Sequence, residues 1–176
     1  MLSKLEVLNS VVETGVILIV RLDTADEALV VSRAAIAGGI RALEITLSVP
    51  DALGVIRTLS TEFADDGIAI GAGTVLDAQA PFACIQAGAR LLVSPNLNPE
   101  MIATANRYQA VTISGAYTPT EIVSTMEAGA DIVKLFPTDA AGPAWLAVSF
   151  FGAYMLARLA TLGWRVRGTA WMTAGA

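Results

Sequence analysis

Six short apolar runs, each followed by an amphipathic stretch of helical period, constrain this chain more than any other feature. The runs are VILIVR (16–21), RALEITL (41–47), IAIGAGT (68–74), RLLVSP (90–95), AVTISG (110–115) and DIVKLFP (131–137). Runs of this length, rich in β-branched residues and bounded by turn residues, form strands covered on both faces. Between them the helices announce their starts: Thr24 with Glu27 three residues on, and Thr118 with Glu121 and Pro119 at the first helical position, read as capping boxes. Three helix ends, IAGGIRALEIT, IQAGARLLVSP and MEAGADIVKLFP, share an Ala-Gly stop followed by the next strand. The repeating unit is a strand followed by a helix.

Two architectures fit such a repeat, an open doubly wound sheet and a (β/α)8 barrel. The glycine-rich turn GAGTVL lacks the third glycine of a dinucleotide fingerprint, which weakens the first. Polar side chains at the ends of many different strands, namely Arg21, Glu44, Thr46, Thr74, Ser94, Asn96 and Lys134, favour the second. A barrel collects strand ends on one rim.

Composition narrows the chemistry. A formal charge of −5 argues against nucleic acid as a general partner. Cys84 is the single cysteine and histidine is absent, so a disulfide within the chain, a histidine metal site and a histidine-based triad are all excluded. Acid–base work falls to carboxylates, lysine, tyrosine or water, and no metal or other cofactor is expected. Cys84 reads as a small buried helix residue. The N-terminus, MLSKLEVLNSVVETG, carries acids where a secretory signal has its apolar region, and a cytoplasmic location is the expectation.

Lys134 and Glu44 interrupt otherwise apolar strands. Alternation sends Ile132, Lys134 and Phe136 one way and Val133 and Leu135 the other. The lysine either extends to the rim with its head in water or lies in an apolar pocket that favours the neutral amine, a nucleophile toward a ketone. An amine and a carboxylate from separate strands can meet across a barrel mouth. Such a meeting is either an ion pair with no other role or a catalytic pair, the amine forming an iminium and the carboxylate moving the proton.

LEITL around Glu44, IGAGTVL (70–76), LLVSPNL (91–97), TPTEI (118–122) and VKLFP (133–137) resemble, in order and spacing, the class I 2-keto-3-deoxy-6-phosphogluconate (KDPG) and 4-hydroxy-2-oxoglutarate (KHG) aldolase family. The resemblance runs from about residue 5 to residue 146. It implies a (β/α)8 barrel, usually trimeric, that cleaves a 2-keto-3-deoxy sugar acid phosphate to pyruvate and glyceraldehyde 3-phosphate without a metal, or 4-hydroxy-2-oxoglutarate to pyruvate and glyoxylate. Lys134 then corresponds to the Schiff-base lysine and Glu44 to the general acid–base residue. Thr74 corresponds to the group holding the pyruvate carboxylate, Thr46 is taken as a further substrate-binding group, and Pro95 and Phe136 line the pocket.

Three departures follow the resemblance. Ser48 stands where the family's gluconate enzymes usually carry an arginine, and Arg21 resembles the arginine of relatives acting on the phosphogalactonate epimer. Ser114 replaces a usual proline and is expected to be a tolerated loop change. After GPAWL (142–146) the sequence leaves the family pattern, and the composition changes there as well: all acids lie at or before Asp139, all tryptophans at or after Trp145, and the cations of the tail are Arg158, Arg165 and Arg167.

The division expected is therefore a six-unit barrel over 1–143 and an atypical apolar tail over 144–176, a (β/α)8 barrel truncated after its sixth strand. The tail is taken as a truncated or frame-shifted end, with a packed amphipathic helix and a membrane span from Trp145 to Trp164 as alternatives. A barrel short of two strands has open edges. The expectation is an aldolase-family chain of reduced or absent activity, a homotrimer if folded, acting on a small 2-keto acid. A non-catalytic remnant and a pyruvate-binding protein are the alternatives.

Overall fold

A computed structural model describes residues 2–138. All six expected strands are present, each shorter than its apolar run except β5, which is shifted by one residue: β1 (Leu18–Val20), β2 (Ala42–Thr46), β3 (Ala69–Gly73), β4 (Leu91–Ser94), β5 (Val111–Ala116) and β6 (Ile132–Leu135). They pair in parallel and in sequence order, β1-β2-β3-β4-β5-β6. The helices between them are α2 (Ala25–Ala37), α3 (Ala52–Glu62), α4 (Ala80–Gln86), α5 (Pro99–Arg107) and α6 (Pro119–Glu127), with α1 (Lys4–Thr14) ahead of the first strand.

The sheet is curled. In a flat sheet β2 and β6 would stand about 19 Å apart, four strand spacings. Yet Glu44 Oε1 of β2 lies 3.7 Å from Lys134 Nζ of β6. Six parallel strands in sequence order, curled this far and with helices between them, form the greater part of a (β/α)8 barrel, as expected.

Two cores follow from strand alternation. Leu43, Ile45, Ile70, Ala72 and Leu92 face outward and pack with Ile36, Ile56, Leu59, Met101 and Ile102 of the surrounding helices. Ala42, Ala69, Leu91, Val111 and Ile132 open their strands and face inward, where Val7 and Val11 of α1 pack on them. Helix α1 thus floors the barrel at its N-terminal end, and burial of such aliphatic side chains is worth roughly 1.5–3 kcal/mol each.

Helix α1 begins with a capping box in which Ser3 Oγ accepts from Glu6 N while the Glu6 carboxylate accepts from Ser3 N. Its start is tied to the far strand: Lys4 Nζ lies 2.8 Å from Asp131 Oδ2 and donates to Asn106 Oδ1 at 2.6 Å. Asp131 in turn accepts from Thr112 N and Oγ1, both at 2.8 Å.

The expected box at Thr118 and Glu121 is complete. At α2 only its first half forms among the described residues, Thr24 Oγ1 accepting from Glu27 N at 3.2 Å. Two other expectations are corrected. Ser114 is not in a loop but inside β5, fully buried. β6 is half-buried rather than buried, because it is the last described strand and has a partner, β5, on one side only among the described residues. The segment 144–176, with every reading of its tail, lies outside the described residues.

Candidate active site

The inward positions beyond the floor open into a cavity of about 240 Å3 lined by Ile19, Arg21, Glu44, Thr74, Pro95, Lys134 and Phe136. Ile19 and Glu44 are the central residues of β1 and β2, and the other five stand in the C-terminal half of a strand or just past its end, the face on which barrel enzymes build their sites. Six of the seven residues expected in the site line it; Ile19 was not anticipated.

Glu44 is the most constrained of them. Its side chain is 3% exposed, against 24% for Lys134. Burial pushes the Glu44 carboxyl above the ordinary carboxylate range, while Lys134 and Arg21 pull it back down. The 3.7 Å separation from Lys134 is an ion-pair distance, longer than a hydrogen bond. Glu44 Oε2 is buried without a hydrogen-bond partner among the described residues. One carboxyl oxygen thus faces the amine while the other is unsatisfied, and a buried acceptor left free in this way is a place for a reacting group to be received.

Gly73 makes the room. A Cβ at that position would come within 2.9 Å of the Glu44 Cδ and Oε2 atoms, so the carboxyl lies flat on the glycine. This role of GAGT is not visible in the sequence, since it depends on the register Thr46↔Gly73 of β2 against β3.

The next residue, Thr74, adopts φ 59°, a left-handed conformation that a β-branched residue rarely takes. Strain of this kind collects at functional sites. Arg21, just past β1, donates to Thr74 Oγ1 at 3.3 Å and is otherwise exposed, so one cation and one hydroxyl share the rim above the strands that flank Glu44. Lys134 Nζ lies 5.2 Å from the Phe136 ring centroid, where the aromatic face favours a cation.

Thr46 stands apart. It is 1% exposed, and its hydroxyl donates to Val20 O at 3.2 Å and meets Ser48 Oγ at 2.9 Å, so it ties β2 to β1 and does not line the cavity. Ser94 and Asn96, also marked as strand-end polar groups, hold the loop after β4. Cys84 is buried in α4 as expected, and burial pushes its thiol up to about 11. Among the described residues no cluster of carboxylates or cysteine is arranged to hold a metal ion.

A curled parallel sheet with a lysine and a carboxyl paired in its C-terminal mouth defines a class, that of (β/α) barrel proteins with an ion pair at the site. The comparisons place it more closely: the family model described as KDPG and KHG aldolase matches residues 7–164, and the chain belongs to that family. A probable 2-dehydro-3-deoxy-6-phosphogalactonate aldolase of Rhizobium meliloti (strain 1021) is 40% identical over 131 residues, covering 74% of this chain and 61% of the relative. A solved structure described as native KDPGal superposes with a TM-score of 0.71 at 37% identity, covering 76% of this chain and 64% of that one. KDPG aldolase from Legionella pneumophila, with pyruvate captured as a covalent carbinolamine, superposes with a TM-score of 0.70 at 29% identity, covering 79% and 66%. The chain thus spans about three-fifths of the length of the curated relatives it matches.

Proposed function

We propose that this chain is a Schiff-base aldolase acting on short 2-oxo acids, with Lys134 as nucleophile and Glu44 as the proton carrier. The observation that carries the reading is the lysine–carboxyl pair at 3.7 Å across the barrel mouth, with one carboxyl oxygen unpartnered.

The chemistry follows from the geometry. The unprotonated Lys134 amine adds to C2 of the 2-oxo acid to give a carbinolamine, and loss of water gives an iminium. That cation accepts the electron pair released when the C3–C4 bond breaks, while Glu44, as carboxylate, takes the proton from the C4 hydroxyl. An aldehyde leaves. Glu44 returns the proton to C3 of the enamine, and water hydrolyses the iminium to release pyruvate and the free amine. Each atom is accounted for without a metal or a redox partner. Burial supports this use of Glu44, since a carboxyl whose affinity for protons is raised can hold a proton between the two steps.

Arg21 and Thr74 together offer a cation and a hydroxyl to the substrate carboxylate. Pro95, Phe136 and Ile19 wall the pocket around the carbon chain. The candidate substrates are 2-dehydro-3-deoxy-6-phosphogluconate and 4-hydroxy-2-oxoglutarate. Arg21 within the cavity favours a second reading, the 6-phosphogalactonate epimer, which is also the substrate in the name of the Rhizobium relative.

Assembly as a homotrimer and residence in the cytoplasm belong to the same reading. No helix among the described residues is long and apolar enough to cross a membrane. The purified chain should release pyruvate from at least one of these substrates, read by a coupled lactate dehydrogenase assay, and elute as a discrete oligomer. Binding of pyruvate with no aldehyde released from any of them would replace the aldolase reading with that of a binding protein.

A further inference from the structure

Ser94 and Ser114 face each other as register partners on β4 and β5, both fully buried and both pointing away from the cavity. Their hydroxyls lie 3.2 Å apart and converge on one acceptor, the Asn96 carbonyl, at 2.7 Å from Ser94 Oγ and 3.1 Å from Ser114 Oγ. Asn98 N approaches Ser114 Oγ at 3.4 Å, at the point where Asn98 caps α5 by accepting from Met101 N at 3.0 Å. The chain from Ser94 to Asn98 is therefore folded back over the end of β5 and fastened from outside the barrel.

The segment so fastened carries Pro95 into the cavity. The Pro95–Asn96 peptide rests directly on Gly115, where an added Cβ would overlap the Pro95 carbonyl. Gly115 is the register partner of Lys134. A shift of the clamp thus moves the Pro95 wall relative to the amine, with one glycine backbone between them.

From this arrangement we infer that Ser114, with Ser94, is a positioning residue that sets the distance of the Pro95 wall from Lys134 and so limits the size of the group on the carbonyl carbon. The consequence for substrate choice rests on the Schiff-base reading; the clamp itself does not. Loss of one hydroxyl from a pair converging on a buried carbonyl is expected to change the affected equilibrium roughly fivefold.

The experiment compares wild type, Ser114→Ala, Ser94→Ala and Ser114→Thr, each checked for an unchanged elution volume. Amide exchange over Asn96, Leu97 and Asn98 reads the clamp with no ligand present. Borohydride trapping with pyruvate and with 2-oxobutanoate reads the wall. Both alanine variants should exchange faster in that segment. They should need about fivefold more pyruvate for half-maximal adduct, and lose preference for pyruvate over 2-oxobutanoate, with the trapping rate at saturation little changed. Ser114→Thr, which keeps the hydroxyl, should restore the preference. Unchanged exchange, or faster exchange with an unchanged half-saturation and preference, would overturn the inference. If wild type forms no adduct with either acid, the Schiff-base reading fails and the specificity claim with it, while the exchange data still decide whether the clamp exists. Should Ser114→Ala not fold, Ser94→Ala decides the same questions.

Discussion

Lys134 Nζ and Glu44 Oε1 approach to 3.7 Å although their strands are separated by three others. Neither side chain could be reached by the other in an open sheet. The curl of the barrel brings an amine and a carboxyl into one cavity, and the carboxyl's second oxygen is left without a partner among the described residues.

Replacing Glu44 by Gln keeps the shape and removes the proposed proton carrier. Exchange of the pyruvate methyl protons with deuterated water, followed by NMR, should slow by roughly 10²–10⁴-fold, the usual contribution of general acid–base catalysis. Exchange at the wild-type rate would remove Glu44 from the mechanism.

The same substitution should alter the pH dependence of stability. Burial raises the Glu44 carboxyl above 4.5 in the folded chain, so the folded state holds this proton more tightly than the unfolded state does. Its contribution to stability is then fullest below that value and declines as pH rises through the folded-state range. Glu44→Gln lacks the titration. Denaturant melts at pH 4.5 and pH 7.5 should show the variant gaining on wild type as pH rises; a difference that stays flat or shrinks would show that the carboxyl is not held above its ordinary range.

Gly73→Ala tests the seating of that carboxyl. The new methyl would lie 2.9 Å from Glu44 Oε2, and the carboxyl must move. Misplacement of a catalytic group by about 1 Å costs on the order of 10²-fold in rate. Proton exchange on pyruvate should fall accordingly while the variant still folds, and full activity would mean that Glu44 tolerates a range of positions.

Asp131→Ala tests the tie between the N-terminal helix and the last described strand. It removes the acceptor of Thr112 N and the partner of Lys4, both at 2.8 Å. Leaving a part-buried donor unmade costs about 1–3 kcal/mol. Denaturant unfolding should show a loss of that size, and no loss would mean that water replaces the carboxylate.

Much of this was legible in the sequence because the signals were local. Each strand showed as an apolar run, and Lys134 and Glu44 were conspicuous because charged groups interrupt runs that burial otherwise explains. Alternation alone placed Ile132, Lys134 and Phe136 on one face, and the structure puts Ile132 on the barrel floor and the other two in the cavity. What was missed depends on register. The hydroxyls of Thr46, Ser94 and Ser114 all looked like rim or loop groups, yet each is engaged by a neighbouring strand or by the loop after β4. The room that Gly73 leaves for Glu44 needs β2 and β3 side by side. The flooring helix did carry a local signal, the Ser3 and Glu6 spacing of a capping box, which a reading focused on export signals passes over.

The central claim is that Lys134 condenses with a ketone. The direct test is to incubate the purified chain with pyruvate and sodium borohydride and map the reduced adduct by peptide mass spectrometry. The account predicts a 1-carboxyethyl group on the Lys134 amine, a secondary amine absent without pyruvate and absent in Lys134→Met. A folded, soluble chain that yields no adduct, or one whose adduct maps to Lys4, would contradict it.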